Sequence, residues 1–249
     1  MDLDRSTWQE VEAYLQRSKG LILPIGSTEQ HGPNGLIGTD ALCADHIARA
    51  LGSAVDAMVA PSLNFGMAQH HMAFPGTMTL RPETMVAVLV DLFSSIAHHG
   101  FERCFIVNGH GGNMATIMTA ISELHARSSL GWGGAGGQLR CRLRNWWTPK
   151  SVGALQDEIF GDRDGSHATA GEIAVTQYLF PASIKQAEIE PKLAPKSSGF
   201  SDAKDFRRRY PDGRVGSDPT LSHPDHGQRI FDCAVEGLGL DYQAFMAEN

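Results

Sequence analysis

The sequence predicts a single-domain α/β fold, a three-layer α/β/α sandwich around a mostly parallel central sheet. Three observations predict it. Short apolar runs alternate with stretches of helical spacing, the pattern of a parallel sheet covered by helices on both faces. The 249 residues, 42% of them hydrophobic, are enough for one sizeable core. No internal repeat or domain boundary divides them, so one domain is expected over 1–249.

The elements follow in order. Leu21 to Ile25 is an unbroken apolar run and reads as a strand. Asp40 to Leu51 has helical spacing through Leu42, Ile47 and Leu51. Ala57 to Pro61 reads as a second strand. Pro82 to His99 reads as a long helix carrying Met85, Leu89, Leu92, Phe93 and Ile96. Cys104 to Val107 is a third strand, and Asn113 to Arg127 a helix with Met114, Ile117, Ile121 and Leu124. Leu139 to Trp147 reads as a further strand and Glu172 to Leu179 as a helix. Two stretches read as flexible surface. One is the glycine-rich run Gly131 to Gly137. The other is a polar excursion over 191–215, long enough for a lid or a subunit contact.

Composition excludes several function classes. The net charge is −7 and no basic patch runs along the chain, so no nucleic-acid partner is expected. Arg207-Arg208-Arg209 reads as a solvated turn before Pro211-Asp212-Gly213. No apolar run approaches the roughly 20 residues that span a bilayer, so no membrane is expected. The start of the chain opens acidic and lacks a signal-peptide core. Cys43, Cys104, Cys141 and Cys233 form no CxxC pair and read as reduced core residues. A cytoplasmic location follows as the expectation.

The chemistry sits in three segments at or just after strand ends, where ligands bind in such folds. In the first, Glu29, His31 and Asp40 fall within twelve residues after the first strand. Side chains two apart in an extended segment share a face, so Glu29 and His31 point the same way. Pro33-Asn34-Gly35 reads as a turn that brings Asp40 back toward them. Carboxylates and an imidazole converging there point to a hard or borderline divalent metal.

In the second segment, Asn108-Gly109-His110-Gly111-Gly112-Asn113, glycines permit close backbone approach around His110. His110 reads either as a metal ligand or as part of a loop whose amides face an anion at a helix N-terminus. The third segment holds His167 and Glu172. Glu172 fits a capping box with Thr169 and also fits a ligand. His167 reads as a ligand, an acid/base group or a surface residue. His70 and His71 lie in a loop suited to line a pocket. His70 and His71, with His98, His99, His125, His223 and His226, rank below the main set.

These segments together resemble the creatininase family of metal-dependent amidohydrolases. The resemblance lies in Leu23 to Pro33 with Gly38-Thr39-Asp40, in Phe74-Pro75-Gly76-Thr77, in Asn108 to Asn113, and in His167 followed by Glu172, with order and spacing kept from about residue 20 to 180. It implies two divalent ions per chain, Zn, Mn or Fe. Asp40 would bridge them, Glu29 and His110 would complete one ligand set, and His31 and Glu172 the other. It further implies that a water held between the ions attacks an amide carbon while His167 passes a proton to the leaving nitrogen. Glu172 then serves catalysis as well as metal. Trp147, His71 and Asn108 are the substrate-contact candidates, with Trp146 an alternative to Trp147. A homo-oligomer, often a hexamer, is the family's expected assembly.

The chain departs from the family pattern at three positions. Asn34 stands where members often carry His. Gly112 stands where creatininase itself has Glu, and Arg163 where it has Trp. The expected reaction is cleavage of a non-peptide C–N amide bond in a small cyclic or formamide-type molecule. Two other readings stay open: an anion- or nucleotide-binding protein using the 108–113 loop, and a metal-bound scaffold without turnover.

Overall fold

The computed structural model describes residues 1–131 and 139–248. Its sheet has four parallel strands: β1 (Gly20–Ile25), β2 (Met58–Val59), β3 (Arg103–Asn108) and β4 (Arg140–Asn145), in the order β2-β1-β3-β4. Every residue of β1 is buried, and all of β3 except Arg103. Central strands of a parallel sheet are covered on both faces, which is why they read as unbroken apolar runs.

Alternation along each strand sorts side chains into two cores. On one face Leu21, Leu23, Ile25, Cys104 and Ile106 pack with α1 (Trp8–Arg17), α3 (Pro82–His98) and α4 (Met114–Ser129). On the other, Ile22, Phe105 and Val107 pack with α2 (Thr39–Ala54), α5 (Lys150–Phe160), α6 (Ala170–Leu179) and α8 (Pro224–Met246). The result is the three-layer sandwich that the alternation of elements predicts.

Several elements differ from the sequence reading. The second strand shrinks from 57–61 to Met58–Val59, because only these residues pair with β1. β4 ends before Trp146, whose amide bonds Asn108 O at 3.1 Å. Helices α1, α5, α7 (Ala203–Arg209) and α8 have no counterpart in the sequence reading. α8 is the largest omission. Its buried stripe Ile230, Ala234, Leu238 and Tyr242 has spacing four, but Gly227, Gly237 and Gly239 lower its helical propensity. Gly227 has a packing reason: a Cβ there would stand 2.0 Å from Ala174 O of α6.

The Arg run lies in the last turn of α7, exposed, rather than in a turn after it. The 191–215 segment carries α7 and buries Phe206 and Tyr210. Within it, Arg214 is fully buried. It donates to Pro191 O at 2.7 Å and Lys192 O at 2.6 Å and pairs with Asp212. The glycine-rich run lies outside the described residues except for Gly131. No helix among the described residues is long and apolar enough to cross a membrane.

Register places the strand ends side by side, with Ile25 beside Asn108 and Asn108 beside Asn145. Each is followed at once by one wall of the site described next.

Candidate metal centre

Two glycines bring α2 onto the strand ends. A Cβ on Gly26 would stand 2.3 Å from Ala41 Cα, and one on Gly109 would stand 2.1 Å from Asp40 O. With no Cβ at either place, the first turn of α2 presses between the loops after β1 and β3. Asp40, in that turn, becomes the centre of the site.

The loop after β1 closes by Glu29 N donating to Ile37 O at 2.8 Å and Gly35 N to His31 O at 3.1 Å. The second bond marks the expected turn. Glu29 and His31 both reach the centre. Ser27 Oγ donates to Glu29 Oε2 at 2.8 Å, which leaves Oε1 facing inward. Oε1 lies 3.2 Å from His110 Nδ1, 3.3 Å from His71 Nε2 and 3.8 Å from His167 Nδ1.

Backbone carbonyls orient the two central imidazoles. A carbonyl oxygen only accepts, so His31 donates from Nδ1 to Glu29 O at 3.1 Å and turns Nε2 toward Asp40 Oδ1, also 3.1 Å away. His110 donates from Nε2 to Met67 O at 3.0 Å and turns Nδ1 toward Asp40 Oδ2 at 3.1 Å. This arrangement, with the outward nitrogen fixed and the inward one aimed at carboxylates, is how metal-binding histidines are held.

Glu172 forms the cap that the sequence suggests and also faces the cluster. Thr169 N donates to its Oε1 at 2.6 Å, and its own amide donates to Thr169 Oγ1 at 3.1 Å, completing a capping box on α6. The same Oε1 lies 3.8 Å from His31 Nε2. The cap therefore aims the carboxylate at the site.

Three groups have the donors and spacing to hold an ion: Glu29 with Asp40 and His110, His31 with Asp40 and Glu172, and Glu29 with His31 and His167. Asp40 belongs to two of them. The residues fit a divalent cation on a second ground. Glu29 Oε1 and Asp40 Oδ2 are buried and lack any hydrogen bond, and orphaned buried carboxylate oxygens are costly unless a cation meets them. Gly112 cannot supply a carboxylate to this centre. A Cβ there would stand 2.4 Å from His110 Nε2.

Burial and mutual charge displace the proton affinities. Burial pushes Glu29 up, with Asp40 adding and His110 and His31 opposing, to about 8. Burial likewise raises Glu172, to about 7, against the pull of His31. For His31 and His110 burial acts downward, but the facing carboxylates win and raise them to about 10 and about 9. Burial would raise Asp40, yet His31 and His110 hold it well below the usual carboxylate range. His71 and His167 have the opposite fate: burial and neighbouring imidazoles keep both neutral, far below the ordinary histidine value.

Above the centre lies a cavity of about 560 Å³, floored by Asp40, His110 and Glu172 and walled by Trp147, Phe200 and Phe206. His71 and His167 also line it. Trp146 meets Trp147 edge-on at 5.6 Å, is largely buried in the core and also lines the cavity. Asn108 does not line the cavity. Its amide is consumed beneath it, donating to His110 O at 2.6 Å and Asn145 Oδ1 at 2.8 Å. Arg163 pairs with Asp218 and is not part of the wall. Five of the lower-ranked histidines, 98, 99, 125, 223 and 226, stay outside the cavity. The sequence reading missed Ser27, Gln30, Phe200 and Phe206. For the last two a signal existed, since they are the only aromatic residues but Tyr210 in an otherwise polar segment.

Known proteins share this architecture. The family model described as creatinine amidohydrolase matches residues 4–239. A mycofactocin precursor peptide peptidase of Mycobacterium tuberculosis is 32% identical over 238 residues, 88% of this chain and 82% of that one. A creatinine amidohydrolase of Pseudomonas putida is 26% identical over 245 residues, 93% of this chain and 92% of that one. Creatininase solved in a manganese form shares the fold, with a TM-score of 0.84, 22% identity and 99% of each chain covered; a zinc–zinc form gives a TM-score of 0.85 at 21% identity, covering 99% of this chain and 98% of that one. A family match over nearly the whole chain, on a sheet whose strand ends carry these glycines, carboxylates and imidazoles, places the chain in the creatininase family.

Proposed function

We propose that this chain hydrolyses a non-peptide C–N amide bond of a small molecule with two divalent ions, zinc or manganese, at the Asp40 centre. Family membership makes it a hydrolase of carbon–nitrogen bonds. The observation that carries the binuclear reading is that Asp40 is the one residue shared by the two groups that hold two carboxylates each, with one oxygen toward His31 and the other toward His110. Glu29 and His110 would hold one ion, His31 and Glu172 the other, with Asp40 between.

When bound, such ions polarise an amide carbonyl and lower the pKa of a water shared between them. The chain's own residues do the rest. His167, neutral and turned inward through Nδ1, is placed to take a proton and return it to the leaving nitrogen, which departs only once protonated. Ser27 and the Thr169 cap hold the two outer carboxylates in place. Trp147, Phe200 and Phe206 give a flat apolar wall that suits a small planar substrate. The free oxygens of Glu29 and Asp40 favour this reading over anion binding by the 108–113 loop. In addition, the amides of Gly109, His110 and Asn113 already bond Ile25 O, Asn108 Oδ1 and His110 O. The family likeness extends the proposal to a homo-oligomer, which light scattering on the purified chain tests.

The test is His167→Ala assayed against creatinine and a panel of formamides, beside metal analysis. Full metal content with kcat lowered by about 10²- to 10⁴-fold supports the assignment. Wild-type protein with both ions bound and no turnover of any panel member would favour the scaffold reading.

A further inference from the structure

Gln30 lies between two functional residues, yet its side chain is neither ligand nor solvated. It is 5% exposed. Two backbone groups fix the sense of its carboxamide. Oε1 accepts from Gly32 N at 2.8 Å, and Nε2 donates to Gly213 O at 3.0 Å. The amide therefore cannot be flipped. Gly213 has φ +89, and a Cβ there would stand 1.9 Å from Gln30 Oε1, so the turn is shaped around this side chain.

One amide proton remains, and two imidazole nitrogens are within reach: His71 Nδ1 at 2.9 Å and His167 Nε2 at 2.8 Å. The backbone decides between them. His71 Nδ1 has no other hydrogen-bond partner among the described residues, whereas His167 Nε2 also lies 2.9 Å from Gln30 O, to which it can donate. The remaining proton goes to His71 Nδ1. A neutral His71 then carries its own proton on Nε2, 3.3 Å from Glu29 Oε1, and a neutral His167 presents a bare Nδ1 to the same oxygen at 3.8 Å.

We propose that Gln30 is a positioning residue that sets both rings: its side chain fixes the His71 tautomer, and its carbonyl fixes that of His167. One ring thereby turns an N–H toward the site while the other turns a lone pair toward it. Only the metal arm of the test below rests on Glu29 being a ligand.

Two-bond ¹⁵N–¹H correlation spectra of the labelled full chain read each ring directly, without metal and with zinc added. The wild type is expected to show Nε2–H at both His71 and His167. In Gln30→Met, His71 should become a mixture of tautomers while His167 keeps Nε2–H, because a backbone oxygen is its partner. Gln30→Glu, which replaces a donor with an acceptor, should shift His71 to Nδ1–H. Zinc affinity should fall about 10- to 100-fold in Gln30→Met, the usual effect of losing an outer hydrogen bond. A wild-type His71 protonated on Nδ1 overturns the proposal even if no variant folds. So does a Gln30→Met protein with unchanged His71 signals. If the wild type takes up no zinc, the metal reading fails, while the metal-free spectra still decide the tautomers.

Discussion

Loading the metal-free protein with zinc at pH 7 should expel about three protons per chain, because every ligand must be deprotonated to bind. The count follows from the displaced affinities. His31 at about 10, His110 at about 9 and Glu29 at about 8 all hold a proton at pH 7. Glu172 at about 7 is half protonated, and Asp40 is already ionised. Calorimetry in buffers of different ionisation enthalpy measures the release. At about 1.4 kcal/mol per proton and pH unit, filling the site should become more favourable by about 4 kcal/mol between pH 6.5 and 7.5. The stability of the metal-free fold should move the other way. A group whose proton affinity is raised on folding stabilises the fold below its unfolded value, and that contribution is lost as pH rises through the folded one. For Glu29 the loss runs from about pH 4.5 to about 8, and for His110 and His31 from about pH 6.5 to about 9 and about 10. The gap in Tm between zinc-loaded and metal-free protein should therefore widen from pH 6 to pH 9. Zinc binding with no proton release at pH 7 would refute this reasoning.

Two further predictions concern the frame around the site. Arg214→Ala should destabilise the fold by about 3–5 kcal/mol in urea, since it strips a buried cation from Asp212 and leaves the Pro191 and Lys192 carbonyls unpaired; Arg214→Lys should not recover this, lacking the planar fork. Gly112→Ala should push against His110 Nε2 and break its bond to Met67 O, lowering zinc affinity about 10- to 100-fold in a competition assay with a chelating dye.

The parts of the fold legible in the sequence were those where a single physical cause acts locally. β1 and β3 are buried on both faces, and so appear as plain apolar runs. The clustering of Glu29, His31, Asp40, His110 and Glu172 was legible because each follows a strand end or opens a helix. What stayed hidden depends on distant partners. In α8 Gly227 rests on α6 and Gly237 on Pro149, contacts that its own sequence does not show. The 191–215 segment returns to the site through Phe200 and Phe206, which stand out as aromatics in a polar stretch but whose place against the site is set by distant partners. Gln30 looks like a spacer between ligands, and its part emerges only once Gly213 and two histidines surround it. The Glu172 oxygen that caps α6 also faces His31, a neighbour that local sequence does not show.

The central claim is that Asp40 joins two metal sites, and metal stoichiometry tests it most directly. Mass spectrometry on chain purified without chelator, beside Asp40→Asn, is predicted to find about two divalent ions in the wild type and loss of both in the variant. An Asp40→Asn protein that keeps two ions and full amide hydrolysis would contradict it.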